Sequence, residues 1–286
     1  MIKEIQSLSD LIDDYDLFLF DQWGVIHDGK NIFPNAEEVF LHLQNLKKQV
    51  IIISNSGKKS SDNISRMKKL GAENTLNVPL ITSGDVCRDL LVNKKNYFKN
   101  FGEKYFVIAT EYPLLSDTPY QQVHNLENAD FLLLCTTTNF DEYHLIDNIF
   151  HEAINLKLPL VCSNPDVLGI SGKDVHPSTG DLAIKYRKMG GKTYIIGKPG
   201  EEIFEFALKK TDSTKTKTLM IGDSLFNDIY GANQFNIDSL LITSGIHKKD
   251  FLANKTIEDT IKDIHSDFQN NGNPNYIMEI LKWFLI

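Results

Sequence analysis

Cysteine is scarce. The 286-residue chain has three, Cys87, Cys135 and Cys162, widely spaced and with no CxxC pair. That argues against a zinc ribbon or a disulfide framework and predicts three reduced thiols packed as small apolar side chains. Long apolar runs are missing too. The longest cover four or five residues, where a bilayer-spanning helix needs about 20. Met1-Ile2-Lys3-Glu4 lacks the basic segment and apolar stretch of a secretory leader, so a soluble, cytoplasmic protein without a membrane partner is expected. With 17 Gly and 9 Pro against 42% hydrophobic and 24% charged residues, linker-dominated, collagen-like and wholly disordered chains are excluded. Positive charge is in deficit. Lys and Arg number 30 against 38 Asp and Glu, a formal charge of −8 with no long basic run, which speaks against a nucleic-acid partner. A small anion remains bindable where local chemistry overrides the net field. There is no GxGxxG. Gly190-Gly191-Lys192-Thr193 looks like the end of a Walker A loop, but Tyr186 stands where its first glycine must be. Asn63-Ile64-Ser65 and Asn254-Lys255-Thr256 fit the glycosylation pattern, which a chain without a secretion signal is not expected to use.

The length suggests about two domains, or one large one. Short apolar runs recur: Leu17–Phe20, Val50–Ile53, Phe131–Cys135, Leu158–Cys162, Tyr194–Ile196, Leu219–Ile221 and Leu240–Ile242. Continuous rather than alternating runs suit parallel strands buried on both faces. Between them lie helical patterns. Pro34 occupies a helix N1 position ahead of Val39, Leu43 and Leu46. Ile64, Met67 and Leu70 form a stripe closed by Gly71, and Ile203, Phe204, Ala207 and Leu208 form another. Asn270-Asn271-Gly272-Asn273-Pro274 reads as a loop before a last amphipathic helix, Ile277–Leu285. The alternation predicts an α/β fold.

Polar residues follow several of these runs at once: Asp21 after Phe20, Ser54-Asn55 after Ile53, Ser163-Asn164-Pro165-Asp166 after Cys162, Gly197-Lys198 after Ile196, and Gly222-Asp223 after Ile221, with Asp228 five residues on. Each alone could be a helix N-cap. Ligands of open parallel sheets bind outside the carboxyl ends of the strands, so Asp21, Ser54, Lys198 and Asp223 can converge although distant in sequence. Together they suit phosphoryl transfer. A carboxylate can attack phosphorus and divide one hard step into two. Gathered carboxylates call for a hard cation such as Mg²⁺. Lys198 can neutralise phosphoryl oxygens, and Ser54 can donate a hydrogen bond to them.

These segments resemble the haloacid dehalogenase-like hydrolase superfamily, in its class IIA branch of NagD-like phosphatases with a type C2 cap. Phe20-Asp21-Gln22-Trp23-Gly24-Val25 resembles motif I, Ile53-Ser54-Asn55 motif II, Ile196-Gly197-Lys198-Pro199 motif III and Gly222-Asp223-Ser224-Leu225-Phe226-Asn227-Asp228 motif IV. Leu80–Gly84 and Cys162–Asp166 are similar to cap segments, and the ending Pro274…Met278…Leu281…Trp283 to an uncharacterised subfamily. The resemblance implies a Rossmann-like core over residues 1–81 and 194–286, interrupted by an α/β cap over 82–193. It implies Asp21 as nucleophile and metal ligand, and the Trp23 backbone carbonyl, Asp223 and Asp228 as further Mg²⁺ ligands, Asp228 directly or through another group. Ser54 and Lys198 would bind phosphate, and Asn55 and Asn164 would line the site. Asp166 would orient substrate or cap a turn. The expected partner is a small phosphorylated metabolite, with a homodimer through the cap left open. Residues 25–32 read as a flap hairpin with an Asp28-Gly29 turn. Tyr112, Tyr120 and His124 are expected to serve packing or the surface.

One position departs from the pattern. Family phosphatases carry a general-acid aspartate two residues after the nucleophile, and here that residue is Trp23. An indole N–H cannot exchange a proton near neutral pH, and general acid–base help is worth about 10²–10⁴-fold. The expectation is a Mg²⁺-dependent phosphatase that is slow or limited to good leaving groups, with His27 or Asp28 of the flap, or a cap residue, as substitute proton donor. The alternatives are a phosphate-metabolite-binding pseudoenzyme and a metal-free dehalogenase.

Overall fold

The computed structural model describes residues 2–136, 143–171, 174–252, 255–267 and 272–284. In chain order the strands are β1 Lys3–Glu4, β2 Leu17–Phe20, β3 Gln49–Ser54, β4 Leu80–Thr82, β5 Lys104–Val107, β6 Gln121–Gln122, β7 Phe131–Leu134, β8 Leu160–Cys162, β9 Leu168–Ser171, β10 Asp174–Pro177, β11 Thr193–Ile195, β12 Thr218–Gly222, β13 Asp238–Ile242 and β14 Tyr276–Met278. A seven-stranded sheet has the order β1-β14-β13-β12-β2-β3-β4, with parallel pairing from β1 through β3. A five-stranded parallel sheet has the order β11-β8-β7-β5-β6, and β9 and β10 form an antiparallel pair. All seven apolar runs read from the sequence are strands. The protein is α/β, a Rossmann-like core with an inserted α/β unit.

By internal contacts one unit comprises Met1–Ser54, Ile64–Ile81 and Lys198–Ile286, and the other Asn55–Asn63 and Thr82–Gly197. The second unit thus reaches Gly197 rather than 193, because β11 pairs with β8, and it takes in residues 55–63, which the sequence reading kept in the core.

Burial on both faces explains why the strands of the larger sheet lack alternation. Phe18, Phe20, Ile52, Ile221, Leu240 and Ile242 enter one apolar cluster with Val39, Phe40 and Leu43 of α1, Pro34–Asn45. Leu241 and Ile277 enter another with Leu225, Ile229 and Ile261. In the second unit Leu132, Leu134 and Leu160 pack on Phe150 and Tyr186. Pro34 sits at the start of α1 as expected, but Leu46 caps its end and is exposed. In α2, Ser60–Lys69, Met67 is buried and Ile64 exposed. The inward face is turned by one residue, because the Asn63 side chain goes in and donates to Ser56 Oγ (3.0 Å) and the Lys59 carbonyl (3.1 Å). Gly71 takes the expected positive φ, 88°.

The expected C-terminal helix is a strand. Ile277 and Met278 point to opposite faces, a period of two, and β14 fills the place between β13 and β1. Leu281 and Trp283 then close the larger cluster. The open edge of β13 and the two apolar faces on either side of it outweigh the helical spacing of Ile277 and Leu281. Asn270, Asn271, Leu285 and the glycosylation-pattern Asn254 lie outside the described residues. Cys87, Cys135 and Cys162 are free and buried, and burial pushes the thiols of Cys135 and Cys162 up to about 12. Among the described residues no helix is long and apolar enough to cross a membrane.

Candidate active site

Strands β2 and β12 are neighbours, with Phe20 opposite Ile221. The residues that follow them, Asp21 and Asp223, therefore leave the sheet side by side. Asp21 N–H still donates to the Ile221 carbonyl (2.8 Å), which fixes where its side chain starts. After Asp223 the chain enters a π-helical turn, Leu225–Ile229, capped by Ser224, whose Oγ accepts from Asn227 N–H at 3.2 Å. That turn brings Asp228 back toward the strand end. Asp228 Oδ2 accepts from the N–H groups of Asp223 (3.1 Å) and Ser224 (3.0 Å). Carboxylate oxygens of Asp21, Asp223 and Asp228 all lie within 4.8 Å of one another, and all three residues are buried.

Lys198 stands among them, 1% exposed. Its Nζ donates to Asp21, donates to the Ile53 carbonyl at 3.1 Å and lies 2.8 Å from Asp228 Oδ1. Ile53 precedes Ser54, the buried last residue of β3. Burial pushes the Asp21 carboxyl up to about 7; Lys198 pulls against this and Asp228 adds to it. Burial, with Asp21 and Asp228, also raises Asp223 well above the carboxylate range. Burial works to discharge Lys198, but Asp21 and Asp228 outweigh it and hold the ammonium charged. Three carboxylates with one ammonium leave a formal excess of two negative charges in a buried place. A hard divalent cation with oxygen ligands fits that donor set and that charge.

Sequence reasoning missed the loop after β13. Ile246 N–H donates to Asp223 Oδ2 at 2.7 Å. Gly24 and Gly245 both pack directly on the Asp223 carboxylate, where a Cβ on either would collide with it. His247 Nε2 accepts from Leu225 N–H (3.2 Å) and holds the start of the helical turn. The signal was present, because Thr243-Ser244-Gly245 follows the apolar run Leu240–Ile242 just as polar residues follow the other runs.

Trp23 lies between Asp21 and the Gly24 contact. Its ring is 4.7 Å from that of His27, edge to face, and beneath the Arg66 guanidinium. The Asp28-Gly29 turn forms as expected, flanked by a single bridge, His27 to Ile32, rather than by strands. Neither proposed substitute acid is suited to the task. His27 is fully buried, its Nδ1 accepts from Gly29 N–H (3.1 Å), and burial, with Arg66 nearby, pushes it down to about 4. The imidazole therefore stays neutral at physiological pH. Slight burial opposes ionisation of Asp28, but the N–H groups of Lys30 (2.8 Å) and Asn31 (2.7 Å) outweigh it and hold the carboxyl below its ordinary range.

Asn55, Asn164 and Asp166 belong to the second unit. There Asn55 Nδ2 donates to Asp166 Oδ1 (2.8 Å), and Asn164 Oδ1 accepts from Asp166 N–H (3.0 Å). Tyr120 is buried, its hydroxyl on the Leu91 carbonyl at 2.9 Å.

Residues 18–116 match the family model of haloacid dehalogenase-like hydrolases, and residues 195–268 match a second model of HAD-hydrolase-like proteins. The chain is 32% identical over 123 residues to the dihydroxyacetone phosphatase of Corynebacterium glutamicum, covering 42% of this chain and 43% of that protein. It is 27% identical over 124 residues to the ribonucleotide monophosphatase NagD of Escherichia coli, covering 43% and 48%. The matched stretches thus span less than half of those two relatives. A haloacid dehalogenase-like hydrolase from Brucella suis superposes with a TM-score of 0.81 at 25% identity, over 97% of this chain and 99% of that one.

Proposed function

The chain belongs to the haloacid dehalogenase-like hydrolases, in their NagD-like class IIA branch, and from that membership we propose that it hydrolyses small phosphomonoesters with Mg²⁺ through a phosphorylated Asp21. The observation that carries this reading is the buried convergence of Asp21, Asp223 and Asp228 on Lys198. Asp21, the Trp23 carbonyl, Asp223 and Asp228 would hold Mg²⁺, which when bound supplies positive charge to the phosphoryl oxygens and to the carboxylates around it. Asp21 attacks phosphorus, and the bond to the leaving oxygen breaks with its electron pair on that oxygen. Water then attacks the aspartyl-phosphate, returning the carboxylate and releasing phosphate. Lys198 and Ser54 bind phosphoryl oxygens. Asn55, Asn164 and Asp166 bind substrate. In this reading the protein acts in the cytoplasm on a metabolite, with neither nucleic acid nor membrane as partner.

Neither candidate flap acid supplies a proton at neutral pH, since His27 is buried and neutral and Asp28 is held as the anion, and position 23 is an indole. Leaving groups of low pKa are therefore favoured. The test is Mg²⁺-dependent hydrolysis of p-nitrophenyl phosphate against an alkyl phosphate, where a preference of about 10²-fold or more is expected. Equal rates overturn the leaving-group argument, and full activity in Asp21→Asn overturns the covalent one. The same unsuited flap favours a second reading, a metabolite-binding protein with no turnover. Thermal stabilisation by phosphomonoesters, with no hydrolysis across a broad panel, would select it.

A further inference from the structure

Only three of the 30 basic side chains are arginines. Arg88 is engaged by the carbonyls of Leu114 (2.9 Å) and Ser116 (2.8 Å), and Arg187 by Thr193 Oγ1 (2.7 Å). Arg66 is placed differently. Its guanidinium carbon lies 4.5 Å from the centre of the Trp23 ring, and one Nη2–H donates to the Gly29 carbonyl (3.1 Å). Among the described residues no carboxylate pairs with it. A guanidinium carries five N–H donors in a planar fork that matches a carboxylate or phosphate. Here one donor is engaged, and the guanidinium rests over an indole, so little ordering remains to be done on binding an anion. The position is close to the chemistry. Trp23 follows Asp21 by two residues and adjoins Gly24, which packs on Asp223, so the indole that carries the fork belongs to the segment that leaves the nucleophile position.

We propose that Arg66, held over the Trp23 ring, recognises a second anionic group on the organic part of the substrate. The substrate class is then small phosphomonoesters that also carry a carboxylate or a second phosphate. This rests on the phosphomonoesterase reading and narrows it. In place of an acid, position 23 presents a platform for a fixed positive charge.

The experiment uses two matched pairs, 3-phosphoglycerate with glycerol 3-phosphate and fructose 1,6-bisphosphate with fructose 6-phosphate. They separate a carboxylate from a phosphate as the second anion. In the wild type the member with the second anionic group in at least one pair should have a KM about 10-fold lower, the effect of one charge-assisted fork. Arg66→Gln should bring that ratio close to one, and Arg66→Lys should not restore it, because an ammonium has no fork. Calorimetric titration of the same ligands into Asp21→Asn, with and without Arg66→Gln, reads the preference independently of turnover. Equal affinity within both pairs, or an equal loss for every ligand in Arg66→Gln, overturns the proposal while hydrolysis of p-nitrophenyl phosphate leaves the phosphatase reading standing. A pair preference that depends on Arg66, in a protein that hydrolyses nothing, supports Arg66 and overturns the phosphatase reading instead.

Discussion

Both large sheets place polar residues at the carboxyl ends of parallel strands, yet the two ends differ. After β8 the groups satisfy one another. Ser163 Oγ donates to the Gly57 carbonyl (3.2 Å), Asn164 takes Asp166 N–H on its side chain and Thr179 Oγ1 on its carbonyl (3.0 Å), and Asp166 takes the Asn55 amide. After β2 and β12 they do not. Backbone N–H groups hold one oxygen of Asp223 and one of Asp228, and a single ammonium faces three buried carboxylates. Local folding uses up the polar groups of the first set and leaves charge over in the second. The excess, rather than the polarity, marks the site.

The largest effect follows from removing the one compensating charge. Lys198→Met leaves the carboxylates buried without an ammonium, and breaking a buried ion pair costs about 3–5 kcal/mol. Urea denaturation should show a loss of that size, partly recovered by Mg²⁺. A loss below about 1 kcal/mol would mean that the two strand ends do not differ in charge balance.

Mg²⁺ itself is the next lever. Burial raises the Asp21 carboxyl to about 7 and pushes Asp223 well above the carboxylate range. An aspartate whose pKa is higher folded than unfolded keeps a proton that the unfolded chain has lost. The contribution of Asp21 to stability therefore falls as pH rises from about 4 to about 7, then levels off. Mg²⁺ binds the ionised form, so at a fixed concentration it should raise the melting temperature more at pH 8 than at pH 5. At 100-fold excess over Kd the stabilisation is about 2.7 kcal/mol, and Asp223→Asn should abolish it. Equal shifts at the two pH values would break the link between burial and metal binding.

Seven strands of the two large sheets were legible because burial writes itself as continuous apolar runs, while β1, β4, β5 and β6 were not read. Asp21, Lys198, Asp223 and Asp228 were legible because each follows such a run or lies within one helical turn of it. The β14 strand was not, since Ile277 and Leu281 fit a helix equally well and only the vacant edge of β13 decides between them. Nor was Arg66, because nothing local in Ile64-Ser65-Arg66 points to an indole 43 positions earlier. Gly245 and Ile246 sit between these cases, carrying the post-strand signal without a charged residue to draw attention to it. Gly245→Ala tests whether they matter. A Cβ there must displace the Asp223 carboxylate, so overpacking should cost about 1–3 kcal/mol and the Mg²⁺-dependent rise in melting temperature should shrink with it. An unchanged rise would show that the carboxylate is not held where the loop places it.

The smallest effect belongs to the strand end where the groups already satisfy one another. Asp166→Ala leaves the Asn55 amide without the oxygen it donates to, a loss of about 1 kcal/mol, while Ser83 Oγ still donates to the Asn55 side-chain oxygen (3.4 Å). The carboxylate cluster should be untouched, because the hydrogen bonds of Asp166 with Asn55 and Asn164 lie within the inserted unit. KM should rise a few-fold while kcat holds, and Mg²⁺ should stabilise the variant as much as the wild type. A fall in kcat as deep as that of Asp21→Asn would erase the distinction, since it would make a hydrogen-bonded turn as necessary to the chemistry as the unbalanced carboxylates. A rise in KM alone keeps the two ends in separate roles, one orienting an amide and the other carrying the charge.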